Sequence, residues 1–419
     1  MRVLVLGGGG REHALCWRIA RSPSVERVFC APGNPGIAQV AETAAIHATD
    51  SPELIKLCRD ELINLVVIGP ERPAIAGAGD KLRDAGFAVY GPSAACAKIE
   101  GSKAFAKDLM ASEAIPTAAF RAFTHFDSAR AYIESKYAHG REVVVKASGE
   151  ALGKGVVVAD SQEHAVETAR LMLDEGAFGE AGRTVVVEQK LMGPELSLMA
   201  VCSGERYALL PAARDYKSAF DGGAGPNTGG MGAVSPIESP NLAQLAKTFI
   251  EPVLRRFATD GTPYVGTLYA GLMLTPEGPM ALEYNARFGD PETEAVLPRV
   301  EGDFAQALFS AATGQDFGEF QTTDNGCVTV MLCSKGYPGK YEKAIPLPVI
   351  FGNDLLVFHA GTALSNGALV SAGGRVLAVT SLASTVAEAR SRIYASLESV
   401  QEEHWHFRRD IGLMVPSLS

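Results

Sequence analysis

The 419-residue chain contains no CxxC pair, no HExxH and no GxxxxGK[ST]. Its seven cysteines (Cys16, Cys30, Cys58, Cys96, Cys202, Cys327 and Cys333) are odd in number and scattered. Neither a disulfide scaffold nor a zinc ribbon is expected, and a reducing, cytoplasmic setting fits. No run of about 18 apolar residues occurs, so no membrane span is expected. The opening apolar stretch runs straight into four glycines and is too brief for a signal-peptide core. Positive charge is scarce: 38 Lys and Arg stand against 48 Asp and Glu, a net charge of −10. That excludes a general nucleic-acid binder but leaves room for a local basic pocket around a phosphorylated small molecule. Where a P-loop ending at Lys154 would need its first glycine stands Ser148, so any nucleotide must be held differently. Internal repeats and low-complexity linkers are also absent.

What is present is an ordinary globular balance, 47% hydrophobic and 21% charged. At about 150 residues per domain the length predicts two to four domains. Glycine is abundant, 44 residues, and clustered, which points to tight turns and to backbone approaching ligands. The first hundred residues alternate strand and helix. Strands are expected at Val3–Leu6, Val25–Cys30, Leu65–Ile68 and Phe87–Tyr90, with helices at Arg11–Arg21, Leu54–Glu61 and Gly77–Ala85. This predicts an α/β fold opening on a doubly wound parallel sheet, residues 1–101. Its strand ends carry Gly7–Gly10, Pro32-Gly33-Asn34 and Gly69-Pro70-Glu71, one plausible crevice.

A capped helix is expected at Ser102–Met110. Residues 118–188 read as a small α+β lid, with strands Val143–Lys146 and Val156–Ala159 flanking a glycine-rich loop. Further on, Asp215–Gly232 reads as one long glycine-rich loop and Asn241–Phe257 as one amphipathic helix. Leu268–Leu274 and Met280–Asn285 read as a hairpin. Residues 102–315 are thus expected as a central domain with its lid, and 316–419 as a separate C-terminal α+β domain.

Four segments carry chemistry. The glycines before Arg11 and Glu12 suit a small phosphorylated ligand at a helix N-terminus, or a tight turn with no ligand. A dinucleotide is disfavoured, because Cys30–Asn34 offers no ribose-binding acid. The loop Gly149–Gly155, with Lys154 in it and Lys146 before it, can fold over phosphates, or it is a mobile hairpin with surface lysines. Glu283 and Asn285 share one strand face by the period of 2, offering one charged and one neutral oxygen, as magnesium on nucleotide phosphates requires. Arg287 has the same parity; Asp290 and Glu292 follow. The alternative is an edge strand with a solvated face. Gly222–Gly232 can present N–H groups to anions, with Asp215 and Lys217 before it.

Together, Gly7–Ala14 (GGGGREHA), Ala31–Asn34 (APGN), Gly69–Glu71 (GPE), Glu100–Phe105 (EGSKAF), Gly153–Val156 (GKGV), Gly225–Ala233 (GPNTGGMGA), Glu283–Glu294 (EYNARFGDPETE) and His359–Thr362 (HAGT) closely resemble the glycinamide ribonucleotide synthetase family of the ATP-grasp superfamily. The resemblance covers nearly the whole chain. It implies an ATP-dependent ligase of purine biosynthesis that joins glycine to 5-phosphoribosylamine through glycyl phosphate. It further implies that Lys103, Lys146, Gly153, Lys154 and Gly155 hold nucleotide phosphates. Gln189, Lys190 and Leu191 would face adenine, Glu188 would also bind the nucleotide, Glu195 would accept the ribose hydroxyls, and Glu283 and Asn285 would bind Mg2+ or Mn2+. Gly10, Arg11, Glu12, Asn34 and Glu71 fall on the sugar-phosphate side, with Asn227, Thr228 and Gly229 also binding substrate. Asp215, Lys217, Arg287 and Asp290 sit where glycine, acyl phosphate and amine meet. The implied state is a monomer or weak dimer, with room for transient contact with the amidotransferase that precedes it in the pathway. Departures from the family pattern lie at Ser148, Glu150 and Leu152 in the flap, at Ala74, and at Tyr216 and Ser218. Another ATP-grasp carboxylate–amine ligase or a carboxylase is the alternative, and GREHA, APGN and GPE together disfavour it. A dinucleotide-dependent oxidoreductase and a catalytically dead nucleotide-binding regulator are weaker readings.

Overall fold

The computed structural model describes residues 1–149, 155–352 and 354–413. Four strands of the N-terminal sheet come where the apolar runs put them, within two residues. The fully parallel order is Glu42–Thr43, Arg27–Pro32, Arg2–Gly7, Leu65–Ile68, Ala88–Tyr90. Val3 and Val5 enter one core cluster, Leu4 and Leu6 another, so both faces of the sheet are covered. That is why the strand reads as a continuous apolar run rather than an alternation. Chain order reverses about Arg2–Gly7, and the Gly7 and Gly69 turns meet at this switch point, where such sheets bind ligands.

A helix over Ala94–Gly101, which the sequence pattern did not reveal, leads into the helix Lys103–Ser112. Ser102 separates them, its hydroxyl accepting the Phe105 N–H at 3.2 Å as an N-cap. The lid is a four-stranded antiparallel sheet, ordered Phe120–Phe123, Val185–Gln189, Val143–Ala147, Val156–Val158. Helices Phe126–Ala138 and Gln162–Leu173 back it over a core that includes Ile133, Val145 and Met172. A second antiparallel sheet runs Arg206–Leu209, Glu195–Ser203, Val265–Thr275, Gly278–Asn285.

Two expectations are corrected here. Asn241–Phe257 is two helices, Leu242–Phe249 and Glu251–Thr259, broken at Ile250. Pro252 has no N–H to continue the ladder, so it opens a new helix instead. Asp215–Gly232 is not one loop. It holds a hairpin, Ser218–Phe220 with Ala224–Asn227, between two strands of the C-terminal sheet. Gly222 (φ +68°) and Gly223 (φ +74°) close that hairpin in the left-handed region. The C-terminal sheet runs Arg214–Asp215, Gly232–Ser235, Gly326–Ser334, Arg375–Ala383, Leu355–His359. It is therefore continuous with the segment that carries Asp215, Lys217 and Thr228. Among the described residues no helix is long and apolar enough to cross a membrane.

Candidate active site

One cleft lies between the N-terminal strand ends, the lid hairpin and the strand Gly278–Asn285. Lys103, Lys146, Lys217, Glu283, Asn285 and Arg287 all line it. Glu283 and Asn285 share a face, as the period of 2 requires, because pairing is regular from Gly271↔Glu283 to Tyr269↔Asn285. Just before them the register slips, leaving Leu282 as the extra residue of a bulge between Ala281 and Glu283. The carbonyl of Leu282 accepts from Lys146 Nζ at 3.2 Å. The irregularity thus ties the lid strand to the strand beneath it.

Charges in the cleft are strongly coupled. Lys217 Nζ lies 2.9 Å from Glu195 and 3.5 Å from Glu283. Burial would raise the Glu283 carboxyl, but Lys217, then Lys146, Lys103 and Arg287, outweigh it and hold it at about 2. Glu283 is therefore ionised throughout the physiological range. Burial lowers the Lys103 ammonium, with Glu283 opposing. Burial would lower Lys217 too, but Glu195, Asp215 and Glu283 hold it well above its usual value.

Behind the cleft sits a buried triad. Glu188 pairs with Lys146 through one oxygen and with Lys107 through the other, at 2.6 Å for Lys107. Burial would raise Glu188, but Lys146 and Lys107 bring it below its usual value. Burial lowers Lys107 to about 8, with Glu188 opposing. Lys107 also donates to Thr117 Oγ1 at 2.7 Å. Each Glu188 oxygen thus holds one lysine.

Arg287 forms the other wall. It pairs with Glu100 at 3.0 Å and Glu71 at 3.4 Å, and donates to Asn285 Oδ1 at 3.1 Å. Burial pushes the Glu100 carboxyl up in spite of Arg287. Burial would raise Glu71 as well, but Arg287 and Arg11 keep it below its ordinary value. Further along, Glu292 Oε1 accepts from Tyr269 at 2.5 Å and from Ser197 at 3.1 Å. Asp290 pairs with Arg375 of the C-terminal sheet at 2.9 Å, and Arg375 also holds the Gly229 carbonyl at 2.5 Å.

The glycine-rich turns are built around Glu12 and Asn34. Glu12 accepts the Gly9 N–H at 2.7 Å and the Arg11 Nε–H at 2.6 Å. A Cβ at Gly7 or Gly69 would lie 2.6 Å or 2.4 Å from the Glu12 side chain, so both turns need glycine. Asn34 donates to Gly8 and His359 carbonyls and accepts from Gly36 and Ile37. Both side chains thus pin the turns they stand in. Gly10 and Arg11 are buried as well; a Cβ at Gly10 would lie 2.6 Å from Glu294.

Of the remaining sequence-derived positions, Glu71, Gly155, Asp215, Thr228, Gly229 and Asp290 line the cleft. Glu195 reaches it only through Lys217. Gln189 donates its N–H to Ala119, Lys190 pairs outward with Glu142 at 2.7 Å, and Leu191 is half-buried. Asn227 pairs with Ser218 in the hairpin. Gly153 and Lys154 lie outside the described residues. Sequence reasoning did not single out Glu100, Lys107 or Arg375 as site residues. Glu100 stood inside the EGSKAF segment, which was the one available signal. Lys107 and Arg375 carried none.

A pair of buried histidines stands behind the Gly7 turn. His13 Nδ1 accepts the His359 N–H at 2.8 Å. Burial, then His359, lowers His13 to about 3, and burial lowers His359. The folded value lies below the unfolded one of about 6.5, so the unfolded chain binds the extra proton between the two. Stability from the neutral pair is complete above about pH 6.5 and is lost as pH falls toward 3. We expect the urea midpoint to fall between about pH 6.5 and pH 4.5. His13→Gln keeps an acceptor for His359 and should flatten that fall; an unchanged slope would contradict it.

Two antiparallel sheets closing on one cleft, with Lys146 on one and a carboxylate–amide pair on the other, and with Lys103 at the start of the adjoining helix, define the ATP-grasp class, which uses ATP. Family models for phosphoribosylglycinamide synthetase match along the chain: its N domain over residues 1–100, its ATP-grasp (A) domain over 101–293 and its C domain over 327–414. The chain belongs to the phosphoribosylglycinamide synthetase family. Curated relatives called phosphoribosylamine–glycine ligase include those of Rhizobium meliloti, 46% identical over 98% of each chain, and Halalkalibacterium halodurans, 45% identical over 98% of this chain and 96% of the relative. The crystal structure of the phosphoribosylamine–glycine ligase of Thermotoga maritima superposes with a TM-score of 0.84 at 33% identity, covering 98% of this chain and all of that one. The biotin carboxylase domain of the Hydrogenobacter thermophilus 2-oxoglutarate carboxylase shares the fold at a TM-score of 0.72 and 14% identity, over 97% of this chain and 91% of that one.

Proposed function

We infer that the chain joins glycine to 5-phosphoribosylamine with ATP, giving glycinamide ribonucleotide, ADP and phosphate. The observation that carries this reading is the gathering of Lys103, Lys146, Lys217 and Arg287 around Glu283 and Asn285 in one cleft. A carboxylate is a poor electrophile because oxide is a poor leaving group. A glycine carboxylate oxygen therefore attacks the γ-phosphorus, the bond to the β-phosphate oxygen breaks, and ADP leaves. The amine nitrogen then attacks the acyl carbon, phosphate departs and the nitrogen loses a proton. Lys103, Lys146 and Arg287 offset charge on the transferring phosphoryl group.

Glu283 and Asn285 fit a magnesium or manganese ion, because Glu283 is held ionised and both offer hard oxygens from one face. When bound, the ion supplies Lewis-acid charge at the nucleotide phosphates. Arg287 would share Asn285 Oδ1 with it. Gly155 and the described flap edge would cover the phosphates, with Gly153 and Lys154 in the same role. Gln189 to Leu191, leading from the lid to the second sheet, would face adenine, and Glu195 the ribose hydroxyls. On the sugar-phosphate side, Gly10, Arg11, Glu12, Asn34 and Glu71 would do the binding, with backbone N–H groups near Gly10 available to the phosphate. A closed lid excludes water, which would otherwise hydrolyse the acyl phosphate. Transient contact with the amidotransferase that precedes it in the pathway is part of the same reading.

The test is ADP and phosphate release with phosphoribosylamine generated in place. Release that requires ATP, the divalent ion, glycine and the amine together is expected. Release that ignores glycine, or proceeds equally without the amine, would refute the assignment.

A further inference from the structure

Residues 405–412 have no task in the ligase reading, yet they are bound all along the hairpin that follows Lys217. His406 Nε2 donates to the Ala219 carbonyl at 2.7 Å, and the Arg409 N–H donates to Asp221 Oδ1 at 2.7 Å. The Gly222 N–H donates to Asp410 Oδ2 at 2.8 Å, and the Gly412 N–H donates to the Tyr216 hydroxyl at 3.3 Å. Arg408 stands at the centre of this contact and is buried. Its Nε and Nη2 hold the two oxygens of Asp410 at 2.7 and 2.6 Å, while its Nη1 donates to the Ser218 carbonyl at 3.0 Å. The guanidinium also lies 5.1 Å from the centre of the Tyr216 ring. From behind, Tyr394 of the helix Val386–Leu397 donates its hydroxyl to the Arg408 carbonyl at 2.7 Å. One buried cation, anchored in the C-terminal domain, therefore grips the residues on both sides of Lys217.

Lys217 needs such a grip. Arg214–Asp215 is a two-residue strand at the edge of the C-terminal sheet, and the hairpin beyond it pairs irregularly between Ser218 and Phe220. Tyr216 and Lys217 bridge these two short pieces. Their backbone bonds run to Gly232, Met231 and Thr228, which belong to the same glycine-rich stretch. Yet the Lys217 ammonium must meet Glu195 at 2.9 Å and Glu283 at 3.5 Å together. A backbone shift of about 1 Å is enough to spoil such an arrangement. The planar fork of an arginine suits the task, because it serves a carboxylate, a carbonyl and a ring face at once.

We propose that Arg408, locked by Asp410, is a positioning residue for Lys217. It fixes the backbone on either side of that lysine and so makes the C-terminal domain a working part of the cleft. Among the described residues, those that line the cleft include Lys217 but not Arg408, so Arg408 acts through Lys217. The turnover assay for this role rests on the ligase reading; the placement of Lys217 does not.

The experiment is a double-mutant cycle on kcat, read as ADP release with ATP, magnesium, glycine and phosphoribosylamine generated in place. Arg408→Met should lower kcat about 10- to 100-fold and leave the ATP KM within about threefold. In a Lys217→Met background the same change should lower kcat less than about twofold, because the lysine it positions is gone. Arg408→Lys keeps the charge without the fork and should recover only part of the loss. Ile393→Val loosens the same C-terminal core; it should melt earlier and keep kcat within about twofold. A crystal structure of Arg408→Met gives a readout independent of turnover: Lys217 Nζ should stand more than about 4 Å from Glu195 or from Glu283. Asp410→Asn decides by the same measurements if Arg408→Met does not fold. Losses that multiply with those of Lys217→Met, a kcat within about twofold of the unaltered enzyme, or a Lys217 that keeps both carboxylates would overturn the proposal. If the unaltered enzyme releases no ADP in response to glycine, the ligase reading fails, and the crystal structure still decides the role of Arg408.

Discussion

Glu283→Ala is expected to lower kcat by about 10³-fold, about 4 kcal/mol of transition-state stabilisation, while thermal unfolding stays nearly unchanged. The carboxylate is about a third exposed, 31% for its side chain, so little of the core depends on it. Lys217 keeps Glu195 at 2.9 Å when Glu283 is removed, so no lysine is stranded. What is lost is the one ionised oxygen donor on that face, held ready by Lys217, Lys146, Lys103 and Arg287. The measurement is steady-state turnover at saturating ATP and divalent ion, beside a melting curve. Turnover within about tenfold of the unaltered enzyme would remove Glu283 from the metal site.

Glu188→Gln has the opposite profile, because it strikes the fold before the chemistry. Glu188 is nearly inaccessible and holds Lys107 and Lys146 on its two oxygens. Taking away the charge leaves two buried ammonium groups facing a neutral amide. Removing one partner of a buried ion pair costs about 3–5 kcal/mol, and a cost of that order is expected here in urea unfolding. The double replacement Lys107→Met with Glu188→Met should be markedly less damaging than Glu188→Met alone, since Lys146 can still turn toward Leu282 and the cleft. A cost below about 1 kcal/mol for Glu188→Gln would mean that the triad is solvated and does not order the lid.

How legible all this was varied with the physical source of each feature. Val3–Leu6 announced a covered parallel strand because both of its faces are apolar, and local composition suffices for that. Glu283 and Asn285 were legible as a pair because strand parity is local. The bulge at Leu282 was not, because it depends on register against Gly271 in another strand. Asp215–Gly232 read as a loop because its glycines dominate the local pattern. Its end strands exist only through pairing with each other and with Gly326–Ser334, far along the chain. Glu188 has the residue type of a ligand-facing acid, and nothing local reveals that Lys107 and Lys146 converge on it. Glu12 and Asn34 illustrate the reverse case. Their position in glycine-rich motifs suggests ligand contact, and nothing local reveals that they also pin the turns through hydrogen bonds.

The most direct test is a crystal structure of the chain with magnesium and a non-hydrolysable ATP analogue. The account predicts an ion about 2.0–2.1 Å from a Glu283 carboxylate oxygen and Asn285 Oδ1, touching the nucleotide phosphates, with Lys103 and Lys146 on the same phosphates. A nucleotide seated elsewhere, with Glu283 still closed on Lys217 and no ion beside Asn285, would contradict it.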